Sequence, residues 1–84
     1  MKKSIYSKRQ VLLTGRLVEL RHSAGLTQRD LAKRLRAWPA TIASVEKGQR
    51  RMDLFELCDY IRACDASPEK VLAAILRACA KIKD

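Results

Sequence analysis

The 84 residues, with 18 Lys or Arg against nine Asp or Glu, suffice for one small domain whose modest core a partner subunit would help to stabilise. No apolar run of about 18 residues and no leader-like succession of basic, apolar and small residues is present, so neither a membrane span nor a secretory signal is expected, and the expected location is cytoplasmic. The net charge of +9 is uneven: residues 1–51 hold thirteen basic groups against Glu19, Asp30 and Glu46, residues 52–84 hold five against six, and a positive field concentrated in this way suits a polyanionic partner.

In chain order, Met1-Lys2-Lys3-Ser4 is expected to fray, and a first helix starting near Ser4 or Ser7 runs to Ala24, where Gly25 ends it. Leu13, Leu17, Leu20 and Ala24 form its main stripe. A second row, Val11, Gly15 and Val18, predicts that another face is covered too, with Gly15 small enough to admit a neighbouring helix. The basic start, Lys2, Lys3, Lys8 and Arg9, suits an arm along a polyanion, although solvated charge is the commoner fate of such termini.

Thr27 is placed to cap a second helix, with Asp30 at the third helical position, where a carboxylate meets the positive end of the helix dipole. Leu31, Ala32 and Leu35 give that helix one apolar face. A third helix opens at Pro39, whose missing N–H would have lacked a partner there, turns Ile42 and Val45 inward, and stops at Gly48. Its outward residues, Ala40, Thr41, Ser44 and Lys47, make a small, mostly neutral surface flanked by positive charge, of a kind that enters a groove of DNA.

After the Gln49-Arg50-Arg51 loop, Asp53 caps a fourth helix with Leu54, Leu57, Cys58, Ile61 and Cys64 inward and Asp65 at its stop. Ser67 and Pro68 cap and open a fifth, over about residues 68–82. There Val71, Leu72, Ile75, Leu76, Cys79 and Ile82 cover more than one face. The surplus is expected to close a homodimer through Val71, Ile75, Leu76, Cys79 and Ile82, the rival reading being a terminal helix that wraps over its own domain.

The whole is expected to be all-α, five helices in a single domain over residues 1–84. Cys58, Cys64 and Cys79 lack the paired spacing of metal or redox sites and are read as small buried hydrophobes. His22 has no neighbouring partner for catalysis, so no catalytic residue, no metal and no cofactor are expected.

The pattern Gly25-Leu26-Thr27-Gln28 with Leu31-Ala32 and Leu35, followed by Thr41-Ile42, Glu46 and Gly48, resembles the XRE family, the Cro and phage-repressor type of helix-turn-helix protein. The likeness continues from Leu54 to Leu72, where Ala66-Ser67-Pro68-Glu69-Lys70-Val71-Leu72 is similar to the start of the family's fifth helix. It implies a lambda-repressor-like domain with its helix-turn-helix over about residues 27–48. The implied function is that of a sequence-specific transcriptional regulator, a repressor that binds a palindromic operator in double-stranded DNA as a homodimer. Its rivals are an antitoxin that also holds a cognate toxin, and a module turned to some other protein. The family's ion pair between the first helix and the end of the recognition helix falls on Arg21 and Glu46.

Three positions at two places depart from the family pattern. Arg36 stands where a glycine with positive φ is usual, at a cost of about 1 kcal/mol or more, so a rearranged turn is expected. Trp38 and Pro39 replace a small cap and a long polar base-reader, and neither can make a bidentate contact with a base. The expected DNA surface comprises Gln28, Arg36, Trp38, Pro39, Ala40, Thr41, Ser44, Lys47, Arg50 and Arg51. Within it, Gln28 approaches a phosphate, Arg50 and Arg51 clamp phosphates, and Thr41 and Ser44 meet base edges. Pro39 and Ala40 offer only apolar contact, for example to a thymine methyl, while Lys33, Arg34 and Arg36 divide between backbone contact and solvated surface. Trp38 is expected to anchor the turn rather than stack on a base.

Overall fold

The computed structural model describes residues 7–83, which form five helices and no strand: α1 (Lys8–Ser23), α2 (Gln28–Leu35), α3 (Pro39–Glu46), α4 (Leu54–Ala63) and α5 (Pro68–Cys79). Met1 to Ser4, with the basic Lys2 and Lys3, lie outside the described residues. No helix among the described residues is long and apolar enough to cross a membrane.

Local hydrogen bonds account for where the helices begin. The Ser7 side chain accepts from the Gln10 N–H at 3.1 Å and starts α1. Thr27 and Asp30 form a reciprocal capping box, each side chain bonded to the other's backbone N–H at 3.0 Å, which holds the Asp30 carboxyl below its usual range. Asp53 and Glu56 do the same for α4, and Ser67 with Pro68 opens α5. Only α3 lacks a side-chain cap; Pro39 at its first position needs none for its own nitrogen.

Left-handed residues follow the first four helices. Gly25 (φ 72°) and Gly48 (φ 77°) do so freely, whereas Arg36 (φ 53°, ψ 41°) and Asp65 (φ 60°) do so against their Cβ atoms. The turn after α2 is therefore not rearranged, as the arginine had led one to expect. Arg36 takes the conformation that a glycine would, and the N–H groups of Arg36 and Ala37 close on Lys33 O and Ala32 O at 3.2 and 2.9 Å.

The core joins Leu17 of α1, Leu31 and Ala32 of α2, Ile42 and Val45 of α3, and Tyr60, Ile61 and Cys64 in and just after α4. Leu13, Leu20, Leu35, Leu57, Val71 and Leu72 pack around it. Burial pushes the Cys64 thiol up to about 11, the behaviour of an inert core cysteine, and all three cysteines are free thiols.

Several expected inward positions differ. Leu54 is 61% exposed, because it occupies the first turn of α4, beyond the reach of the core. Val11 and Gly15 are open to solvent, and a Cβ built on Gly15 would meet nothing within 4 Å, so of that row of α1 its own chain covers Val18 alone, and only in part. The surplus on α5 shrinks: Ile75 is 6% exposed and thus already enclosed, and Val71 and Leu72 are half-buried against the core. The helix ends at Cys79, which places Ile82 in the turn beyond, where its carbonyl accepts from the Arg9 guanidinium at 3.4 Å.

Candidate nucleic-acid interface

The inward side of α3 is fixed by Ile42 and Val45, both buried, and its C-terminal end by a single carboxylate. Glu46 Oε2 accepts from Arg21 Nε at 2.7 Å and Oε1 from Arg21 Nη2 at 2.9 Å, a bidentate pair whose side chains are only 10% and 5% exposed. Gln28 Nε2 donates to Glu46 Oε1 at 3.0 Å, and Arg21 Nη1 donates to Leu26 O at 2.9 Å. The Tyr60 hydroxyl lies 2.7 Å from Glu46 Oε2 and 3.0 Å from Leu17 O, so one proton faces two acceptors. The shorter contact and the ionised acceptor favour the carboxylate. Four helices thus meet at Glu46.

Electrostatics follow from that geometry. Burial alone would push the Glu46 carboxyl up, but the hydrogen bonds from Arg21, Gln28 and Tyr60, together with the Arg21 charge, outweigh it and hold Glu46 below its usual range. Burial and the neighbouring carboxylate raise Tyr60, and the bond to Glu46 raises Arg21, so carboxylate, phenol and guanidinium stay in the states that bind one another.

The outer side of α3 is open. Ala40, Thr41, Ser44, Gln49 and Arg50 line one shallow groove along it, which brings the expected base-edge residues Thr41 and Ser44 together with Arg50 and adds Gln49. Gln49 is held there because its N–H donates to Ser44 O at 2.9 Å, and a side-chain amide can both donate to and accept from a base. Trp38 is 79% exposed, which corrects its reading as an anchor of the turn; Leu31, Ala32, Leu35 and Ile42 fill the space beneath the turn without it.

The family model described as a helix-turn-helix domain matches residues 12–74. An XRE-family-like protein from Pseudomonas syringae pv. tomato str. DC3000 superposes with a TM-score of 0.80 at 31% identity, over 83% of this chain and 85% of that one. The chain belongs to the XRE family of helix-turn-helix proteins. The clp gene regulator ClgR from Corynebacterium glutamicum is similar at 28% identity and a TM-score of 0.71, over 82% of this chain and 73% of that one. The restriction-modification controller protein C.Esp1396I, 19% identical, shares the fold with a TM-score of 0.76 over 89% of this chain and 99% of that one; its structure is a tetramer on its natural 35 base-pair operator. No curated protein matches.

The XRE-family fold places the remaining candidates unequally. Lys47 and Arg36 are exposed at the ends of α3 and α2, and Pro39 and Ala40 are exposed at the start of α3. Arg50 is exposed and pairs with Glu56 at 3.6 Å, a contact weak enough for a phosphate to replace. Arg51 is exposed beside it. Arg34 instead holds the fold, donating to Ala63 O at 2.7 Å and pairing with Asp65 at 3.3 Å, which secures α2 on the end of α4. Gln28 has an internal use that its position at a helix start does not reveal. Tyr60 carried a readable sign, since it continues the helical spacing of Leu57, Ile61 and Cys64.

Proposed function

We propose that this XRE-family chain is a transcriptional repressor that binds a palindromic operator as a homodimer, acting by occupancy and without catalysis, in the cytoplasm. The observation that carries the reading is the outer side of α3: Ala40, Thr41, Ser44 and Gln49 stand along one open groove while Glu46 is locked from behind. The surrounding segment, residues 27–51, holds seven basic groups against Asp30 and Glu46. A helix held this firmly and ringed by positive charge suits insertion into the major groove, with Thr41, Ser44 and Lys47 toward base edges and Arg36, Arg50 and Arg51 toward phosphates, joined by the backbone at Gln28, whose side chain is given to Glu46. The fold shared with a controller protein that sits on its operator supports the same reading.

The dimer rests on what α5 leaves uncovered. Leu76 is 67% exposed, and Val71, Cys79 and Ile82 are half-buried, whereas Ile75 is enclosed within the protomer and does not belong to the interface. Selection of bound duplexes from a random pool tests the reading. A recovered palindrome, bound with a salt slope that falls by about one unit in Arg50→Ala or Arg51→Ala, is the expected result. Equal retention of all sequences, or a monomer bound to a single half-site, would overturn it.

A further inference from the structure

We propose that the leading end of α3 reads thymine methyl groups through Trp38, Pro39 and Ala40, an inference that rests on the DNA-binding reading above. All three residues are exposed and consecutive, and Trp38 presents the largest apolar side chain of the domain to solvent. The following proline confines Trp38 to extended backbone (φ −88°, ψ 141°), so its position at the cap of α3 is fixed rather than adaptable.

Polar recognition is largely withdrawn at this end. Trp38 makes no side-chain cap, Pro39 has no N–H, and the N–H groups of Thr41 and Ile42 both turn back to Trp38 O at 2.9 and 3.3 Å. Of the three side chains, only the indole carries a polar atom, a single donor. Yet the patch lies in a basic setting, with Arg29 and Arg36 exposed in the adjoining helix and turn, and that charge selects a nucleic acid as its occupant over an apolar protein face. The major groove offers one apolar group to an entering helix, the C5-methyl of thymine, and the N-terminal residues of a recognition helix are the ones that reach base edges.

The test uses the duplex recovered by selection, synthesised with each thymine replaced in turn by deoxyuridine, which removes the methyl and leaves every hydrogen-bonding group in place. The expected result is a loss of about fourfold in affinity per methyl at one or two symmetry-related positions. In Trp38→Ala the preference for thymine over deoxyuridine should shrink at those positions, whereas Arg50→Ala should weaken both equally. Unchanged circular dichroism and melting temperature of Trp38→Ala would show that the effect is not one of folding. A selected duplex that tolerates deoxyuridine everywhere, or a methyl preference that persists undiminished in Trp38→Ala, overturns this inference and leaves the DNA-binding reading standing. Selection that yields no preferred duplex overturns both.

Discussion

The two ends of α3 are built in opposite ways. At the C-terminal end Glu46 is buried and takes hydrogen bonds from α1, α2 and α4; at the N-terminal end Trp38, Pro39 and Ala40 are exposed, and no side chain caps the helix. The first end sets where the helix lies, and the second is left open for contact. On the proposed function, positioning and recognition lie at opposite ends of a helix of eight residues and should fail separately when mutated.

The largest expected effect is at the buried end. Glu46→Ala strands the Arg21 guanidinium and should cost about 3 kcal/mol, read as a fall in melting temperature. The same carboxylate gives the contrast a pH signature. Because its folded pKa lies below the ordinary value of 4.5, its stabilisation is fully present above that value and is lost as the pH falls below it. The margin of the wild type over Glu46→Gln should accordingly narrow in acid. A margin that does not change with pH would place the pair outside the stability of the fold.

Tyr60→Phe should cost about 1 to 1.5 kcal/mol, since Glu46 keeps its bonds from Arg21 and Gln28 and the hydroxyl leaves no cavity. A larger loss of DNA affinity than of stability would extend positioning to Tyr60. At the turn between α2 and α3, Arg36→Gly should stabilise the fold by up to about 1 kcal/mol by relieving its left-handed conformation, while weakening DNA binding if the charge meets a phosphate. Thermal melts and binding titrations moving in opposite directions would identify that residue as one retained for contact. The smallest effect on folding belongs to the open end: Trp38→Ala should change stability by less than about 0.5 kcal/mol, and a drop comparable to that of Glu46→Ala would abolish the contrast.

These two ends also differ in how far they could be read from sequence. The caps at Thr27, Asp53 and Ser67 were legible because a cap is a hydrogen bond spanning three or four residues, and the stops at Gly25 and Gly48 because φ is a local property. Arg21 and Glu46, named through the family resemblance, do meet in the structure. Spacing places Tyr60 inward, but the hydrogen bonds of Gln28 and Tyr60 to that pair were not legible, since they depend on how α2 and α4 sit against α3, which no local spacing encodes. Trp38 and Leu54 depart from expectation for a shared reason: both stand at helix starts beyond the reach of the core, where an apolar side chain is not thereby a buried one. Ile75 departs the other way: it is enclosed on a helix that uses it to close its own domain.

Trp38 is the sole tryptophan of the chain, and it stands in water at the end of α3 on which contact is expected. Its fluorescence therefore comes from one known place, uncomplicated by any second indole in the core. Emission from the unlabelled protein should shift toward the blue or quench on docking and stay unmoved by contacts made elsewhere, so the molecule carries its own optical probe of which surface a partner covers.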